Sequence, residues 1–180
     1  ERVIVARLDA GDVDEDRAAA RLAAALVPDP EAVGLRIEAP FTGRVNIRAT
    51  GPGVIALDAG AIARLHAIDP MITLATVPEW QRVMDGTMVG TVKIIAYGVA
   101  EAALEAACAE GAGAIARRGP VCGAADLIVT ETAPGLAAAE DKGIRAVWDR
   151  VARLGLSEGA LRIVAHEAGA VAEAIAASRA

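Results

Sequence analysis

The stretch Leu127-Ile128-Val129-Thr130-Glu131-Thr132-Ala133-Pro134-Gly135, followed by Asp141-Lys142-Gly143, is where the residue types come closest to a ligand site. A buried strand that opens into a hydroxyl-rich Pro-Gly loop and then a helix puts Thr130, Glu131 and Thr132 at the strand's carboxyl end. The same pattern sets Asp141 and Lys142 at the start of the helix. Carboxyl ends of strands line the ligand crevice of α/β sheets, and a helix N-terminus presents N–H donors, so an anionic ligand is the chemistry expected here. The competing reading is an ordinary strand-to-helix connection, with Asp141 and Lys142 as solvated charges of the first helical turn.

The other reactive side chains are sparse. His66 lies in a short helical run and His166 follows an apolar strand, and with no cysteine near either they form no recognisable zinc spacing, so no metal is expected. His166-Glu167 sits at a strand's carboxyl end, which makes it a functional candidate, although a helix-cap role is the first expectation. Cys108, among alanines in a helix, reads as a small buried hydrophobe. Cys122 follows Gly119-Pro120-Val121 in a loop, with no His nearby in sequence to activate it as a nucleophile. Gly51-Gly53 and Gly111-Gly113 lack the phosphate-binding fingerprint and read as turns. Trp80 is expected to anchor a loop over the β-rich part, and Trp148 to pack a helix on a sheet.

The elements that position these residues follow from pattern. Val3 to Leu8 alternates like a strand. Asp12 or Asp14 can cap an Ala-rich helix over about residues 15–26, which Pro28 and Pro30 stop. From Gly34 to Gly98 the texture is β: Leu35 to Ile37, Gly43 to Ala49, Val54 to Leu57, Ile72 to Val77 and Val89 to Tyr97. Asp58 caps a short helix over 59–67, and Asp85-Gly86 makes a hairpin-type turn. In the second strand Val45, Ile47 and Ala49 face one way and Arg44, Asn46 and Arg48 the other. Beyond Gly98 the rhythm predicts helix 100–117, strand 126–130, helix 139–154 with a stripe of Ile144, Val147, Trp148 and Val151, strand 161–165 and helix 167–179. Strands alternating with helices predict a parallel sheet. The organisation expected is therefore α/β: a β-rich module with short helices over 1–98, then over 99–180 a partial, doubly wound (Rossmann-like) domain. With two strands in the second part and Glu rather than Met at the start, the chain reads as a truncated piece.

Composition limits the classes of function. The 180 residues carry 24 acidic and 18 basic side chains, a net charge of -6, and only 2% are aromatic, so the core must be built from Ala, Val, Ile and Leu. The basic residues are scattered in sequence, with Arg117-Arg118 the nearest approach to a cluster, and Phe41 and Tyr97 lie far apart. No nucleic-acid partner is expected, because neither counterion release nor base stacking is provided for. No apolar run approaches the roughly 20 residues of a membrane helix, and the first residues, Glu1-Arg2-Val3-Ile4-Val5, lack the apolar core and small-residue cleavage site of a secretory signal. Two unpaired cysteines fit a reducing cytoplasm.

Three segments together carry a resemblance. Ala39-Pro40-Phe41-Thr42-Gly43-Arg44-Val45-Asn46, Asp69-Pro70-Met71-Ile72-Thr73-Leu74-Ala75-Thr76 and Val89-Gly90-Thr91-Val92-Lys93-Ile94-Ile95 resemble the molybdopterin-binding proteins of bacterial molybdenum cofactor biosynthesis. The form they are most similar to is fused to, or encoded beside, a molybdenum cofactor cytidylyltransferase. Val5 to Leu8 with Gly11-Asp12-Val13, and Leu127 to Gly135 with Asp141-Lys142, fit the same pattern. The resemblance implies binding of molybdopterin or its nucleotide form, with Thr130, Glu131, Thr132, Asp141 and Lys142 near the ligand and no catalytic residue assigned. A homo-oligomer, and a cytidylyltransferase or molybdoenzyme as partner, are the expected associations. The family's Gly/Ser-rich phosphate loop after a later strand does not occur before Ala180, so half a site, inactive alone, is the most this chain is expected to hold. The rival expectation is a non-catalytic scaffolding or interaction module whose β half docks a cofactor-maturation enzyme.

Overall fold

A computed structural model describes residues 7–135 and 141–178. The chain divides into two compact units, Glu1–Gly119 and Pro120–Ala180, so the boundary falls later than the Gly98 to Ala100 expected. The expected helix 100–117 is the reason. It stops as α3 (Glu101–Glu110), the chain turns at Gly111 to Gly113, and Ile115–Arg118 becomes a strand, β9. That strand pairs antiparallel with β4 (Gly53–Leu57), which ties it to the first unit. The expected strand at Val3 to Leu8 lies largely outside the described residues.

The first unit begins with β1 (Asp12–Asp14), which pairs with β8 (Gly98–Ala100), and α1 (Glu15–Leu26). The Asp14 side chain accepts from the Arg17 N–H at 3.0 Å and so satisfies one of the orphan donors of the first turn of α1. Its buried stripe, Ala18, Ala19, Leu22, Ala23 and Leu26, recurs at helical spacing. This stripe packs on a four-stranded antiparallel sheet in the order β2-β3-β7-β5, made of Leu35–Ile37, Arg44–Ala49, Met88–Ile94 and Ile72–Thr76. The inner side chains of that sheet, Leu35, Val45, Ile47, Ala49, Leu74, Val92 and Ile94, are all buried. The short β6 (Arg82–Val83) joins β4 and β9 in a three-stranded sheet, and α2 (Ala59–His66), capped by Asp58 on the Ala61 N–H at 2.8 Å, packs on α3.

Every buried apolar side chain among the described residues is Ala, Val, Leu or Ile, as the shortage of aromatics requires. Burying each of the larger ones contributes roughly 1.5–3 kcal/mol. Trp80 does not cover the β-rich module: it is 60% exposed, at φ 63°, with its N–H bonded to the Ile55 carbonyl at 2.7 Å. The backbone of this residue, not its ring, makes the connection to β4.

The second unit is β10 (Ala124–Glu131), α4 (Lys142–Arg153), β11 (Ser157–Ala165) and α5 (Ala168–Ala177), with β10 and β11 parallel, as alternating strands and helices require. The two strands pair with each other alone among the described residues, so the sheet borrows nothing from the first unit. Ile144 of α4 is buried and Val147, Trp148 and Val151 are half-buried, which is the stripe the sequence shows. The strand ladder is interrupted between Ala125 and Leu127, where Asp126 Oδ1 accepts from the Ala160 N–H at 2.7 Å. The molecule is thus mixed α/β, with five helices and eleven strands in several sheets among the described residues.

Candidate functional site at the carboxyl ends of the parallel strands

The carboxyl ends of β10 and β11 are joined by two hydrogen bonds beyond the ladder's last register pair, Glu131 with Ala165. The His166 N–H donates to the Glu131 carbonyl at 2.9 Å, and Thr130 Oγ1 lies 2.9 Å from His166 Nδ1. Two arrangements satisfy that contact. In one, the threonine hydroxyl donates to a bare Nδ1 and the imidazole carries its proton on Nε2, facing away as a donor; in the other, Nδ1–H donates to the hydroxyl. His166 is therefore a strand-end side chain held by its neighbour, and of the His166-Glu167 pair it is Glu167 that takes the helix-cap position. The N-cap of α5 is Glu167, whose side chain makes no capping bond, so the first-turn N–H groups of α5 have no side-chain partner.

Beside this pair is a cavity of about 430 Å³, open to solvent, lined by Thr130, His166, Glu167 and the α5 stripe Ala168, Val171, Ala172 and Ile175, of which Val171 is half-buried and the others are exposed. That volume falls in the roughly 300–1,000 Å³ range of small-molecule sites, which combine apolar walls with a few convergent polar groups. Here the apolar wall is the helix stripe. The polar groups are one hydroxyl, one imidazole, one carboxylate and the uncapped helix end.

Of the five expected site residues, Thr130 lines the cavity. Glu131 contributes its carbonyl to the strand-end staple. Thr132 is exposed just past β10. Asp141 is the N-cap of α4, where Oδ1 accepts from the Gly143 N–H at 2.6 Å, and Lys142 is the exposed first residue of that helix. Asp141 and Lys142 thus take the helix-start positions of the competing reading, and neither is among the residues lining the cavity. The α5 stripe was missed, although Ala168, Val171, Ala172 and Ile175 recur at the i, i+3, i+4, i+7 spacing of one helix face.

The other candidates have structural employment. His66 Nε2 accepts from the Leu74 N–H at 3.2 Å, closing the free edge of β5. Cys108 is half-buried, and that burial pushes its thiol up, away from the thiolate a nucleophile needs. Cys122 is exposed. Among the described residues no three His, Cys, Asp or Glu side chains are grouped to hold a metal ion, and no helix is long and apolar enough to cross a membrane.

The basic residues, scattered in sequence, are brought together by pairing. Arg36, Arg44, Arg48 and Lys93 all occupy outward positions of the four-stranded sheet, with Arg44 opposite Lys93 and Arg36 opposite Arg48. Compared with protein-family models, curated proteins and solved structures, the chain matches none.

Proposed function

We propose that the second unit binds a small anionic, ring-bearing ligand at the carboxyl ends of β10 and β11, and that this ligand is molybdopterin or its nucleotide form. The observation that carries the reading is the Thr130 to His166 pair set beside the cavity at the N-terminus of α5. The resemblance of the β-rich segments to molybdopterin-binding proteins supplies the identity of the ligand, and the strand-end position supplies its place. On this reading the second unit is a doubly wound, Rossmann-like module that holds part of a binding site during molybdenum cofactor biosynthesis, in the cytoplasm. Its role is to bind and pass on the cofactor, with a cytidylyltransferase or molybdoenzyme as partner.

The residues present fit such a ligand in part. The Ala168, Val171, Ala172 and Ile175 stripe offers an apolar wall for a flat ring system. Thr130 and His166 offer a hydroxyl and a ring N–H, and the first-turn N–H groups of α5 suit a phosphate. Glu167 opposes a negative ligand, so its carboxylate weakens binding and disfavours the most highly charged forms.

Anaerobic titration of the protein with molybdopterin, followed by intrinsic fluorescence and repeated with Thr130→Val, tests the reading. Saturable binding, weakened at least tenfold by loss of the hydroxyl, is expected, equivalent to about 1.4 kcal/mol. An absence of saturable binding, or equal affinity of the variant, sinks it.

A further inference from the structure

We propose that the outer face of the β2-β3-β7-β5 sheet is a docking surface for an acidic, extended segment of a partner protein. The inner face of this sheet is covered by α1, whereas the outer face carries Arg36, Arg44, Arg48 and Lys93 among Asn46, Thr73 and Thr91. Glu38, just beyond β2, is the carboxylate that meets them: it accepts from Arg48 Nε at 2.5 Å and from Asn46 Nδ2 at 3.1 Å. Arg48 also donates to the Gly86 carbonyl at 3.0 Å. Among the described residues no carboxylate lies within ion-pair distance of Arg36, Arg44 or Lys93.

The arrangement runs against the protein's own composition. Carboxylates outnumber cations 24 to 18 in this chain, yet two directly opposed cross-strand positions, Arg44 with Lys93 and Arg36 with Arg48, hold like charges. Such pairs destabilise a sheet, where opposite charges at the same positions support it. At the Arg36–Arg48 pair Glu38 offsets part of this, bonding Arg48 and lying in the field of Arg36. Among the described residues no carboxylate pairs with Arg44 or Lys93, and a local rule broken there without an internal counter-charge marks a surface whose counter-charge comes from outside.

Spacing identifies the occupant. The Arg44–Lys93 pair and the Arg36–Arg48 pair are separated by four residues along β3, about 13 Å at strand rise, and within each pair the strands are about 5 Å apart. One phosphate or carboxylate can bridge a pair but cannot reach both. A ligand with anionic groups repeated along an extended backbone reaches both, and guanidinium forks suit carboxylates in pairs. Single-stranded nucleic acid has the charge but also wants stacking rings, and no outward position of these four strands is aromatic. The surface belongs to the first unit and is independent of the pterin reading.

The test uses a fluorescein-labelled oligoglutamate peptide and anisotropy at about 0.01 M and about 0.15 M ionic strength, between which the Debye length falls from about 30 to about 8 Å. Saturable binding at low ionic strength, at least tenfold weaker at the higher, is expected. The double variant Arg44→Ser/Lys93→Ser should weaken it at least tenfold at low ionic strength. Arg150→Ser/Arg153→Ser, which removes the same charge from α4, should change it less than twofold. The proposal is overturned by no saturable binding or by equal losses in the two double variants. It is equally overturned by tighter binding of oligouridylate or inorganic phosphate than of oligoglutamate, or by a self-association that Arg44→Ser/Lys93→Ser abolishes, which would make the occupant a second copy.

Discussion

Replacing Gly34 by alanine should destabilise the first unit far more than the same change at Gly113. Both glycines have left-handed backbone, φ 63° and 68°, where a Cβ costs roughly 1–2 kcal/mol. They differ in surroundings. Nothing lies within 4 Å of a Cβ at Gly113, whereas a Cβ at Gly34 falls onto the guanidinium of Arg117. That guanidinium holds two connections together, donating from Nε to the Gly34 carbonyl at 2.9 Å and from Nη1 to the Pro52 carbonyl at 2.6 Å. The side chain can swing aside, but only by giving up both bonds. Arg117 is half-buried, so the freed groups partly rehydrate and each bond is worth about 0.5–1.5 kcal/mol net. Gly34→Ala should then cost about 2–5 kcal/mol against about 1–2 for Gly113→Ala. The gain from a stiffer unfolded chain is common to both and cancels in the comparison. Urea unfolding in a Trp148→Phe background leaves Trp80 as the one tryptophan, reporting the first unit. Equal destabilisation by the two substitutions would refute the role given to Arg117.

Two further outcomes follow from the outer sheet face. Glu38 is held below the ordinary carboxylate value of 4.5, first by its hydrogen bond from Arg48 and then by that from Asn46. A depressed folded-state value gives stability that is present above the unfolded value and lost as pH falls through the folded one. The stability gap between the protein and Glu38→Gln should therefore be widest near neutrality and close as pH drops below 4.5, by urea midpoints across pH; a gap independent of pH contradicts the ion pair. Lys93→Glu, which sets an opposite charge across from Arg44, should raise unfolding stability by about 0.2–1 kcal/mol while abolishing oligoglutamate binding. A loss of stability in that variant contradicts the like-charge pairing.

What the sequence shows well here is what is local. Asp14 and Asp58 are recognisable caps because a cap bonds only three residues ahead, and both do so. The stripe of α4 is visible because helix periodicity is local too. The helix expected to continue into residues 111–117 ends early for the converse reason: Ile115–Arg118 is a strand only because β4, far away in sequence, pairs with it. The same limit hid the basic face, since Arg36, Arg44, Arg48 and Lys93 meet through register alone. At the strand ends Thr130 was identified by the general position of ligands in α/β sheets. Its pairing with His166 is not legible, because that bond spans 36 residues. Asp141 and Lys142, placed in the site because a helix start suits an anion, turned out to serve that start itself.

The proposed place of the ligand is tested most directly by amide chemical-shift mapping of the isotope-labelled chain during anaerobic addition of molybdopterin. Shifts concentrated at Thr130, His166 and the first turns of α5, from Ala168 to Ala172, are expected. Shifts clustered at Asp141 and Lys142 or on the outer face of the four-stranded sheet, with the β10 and β11 exits unmoved, would contradict it.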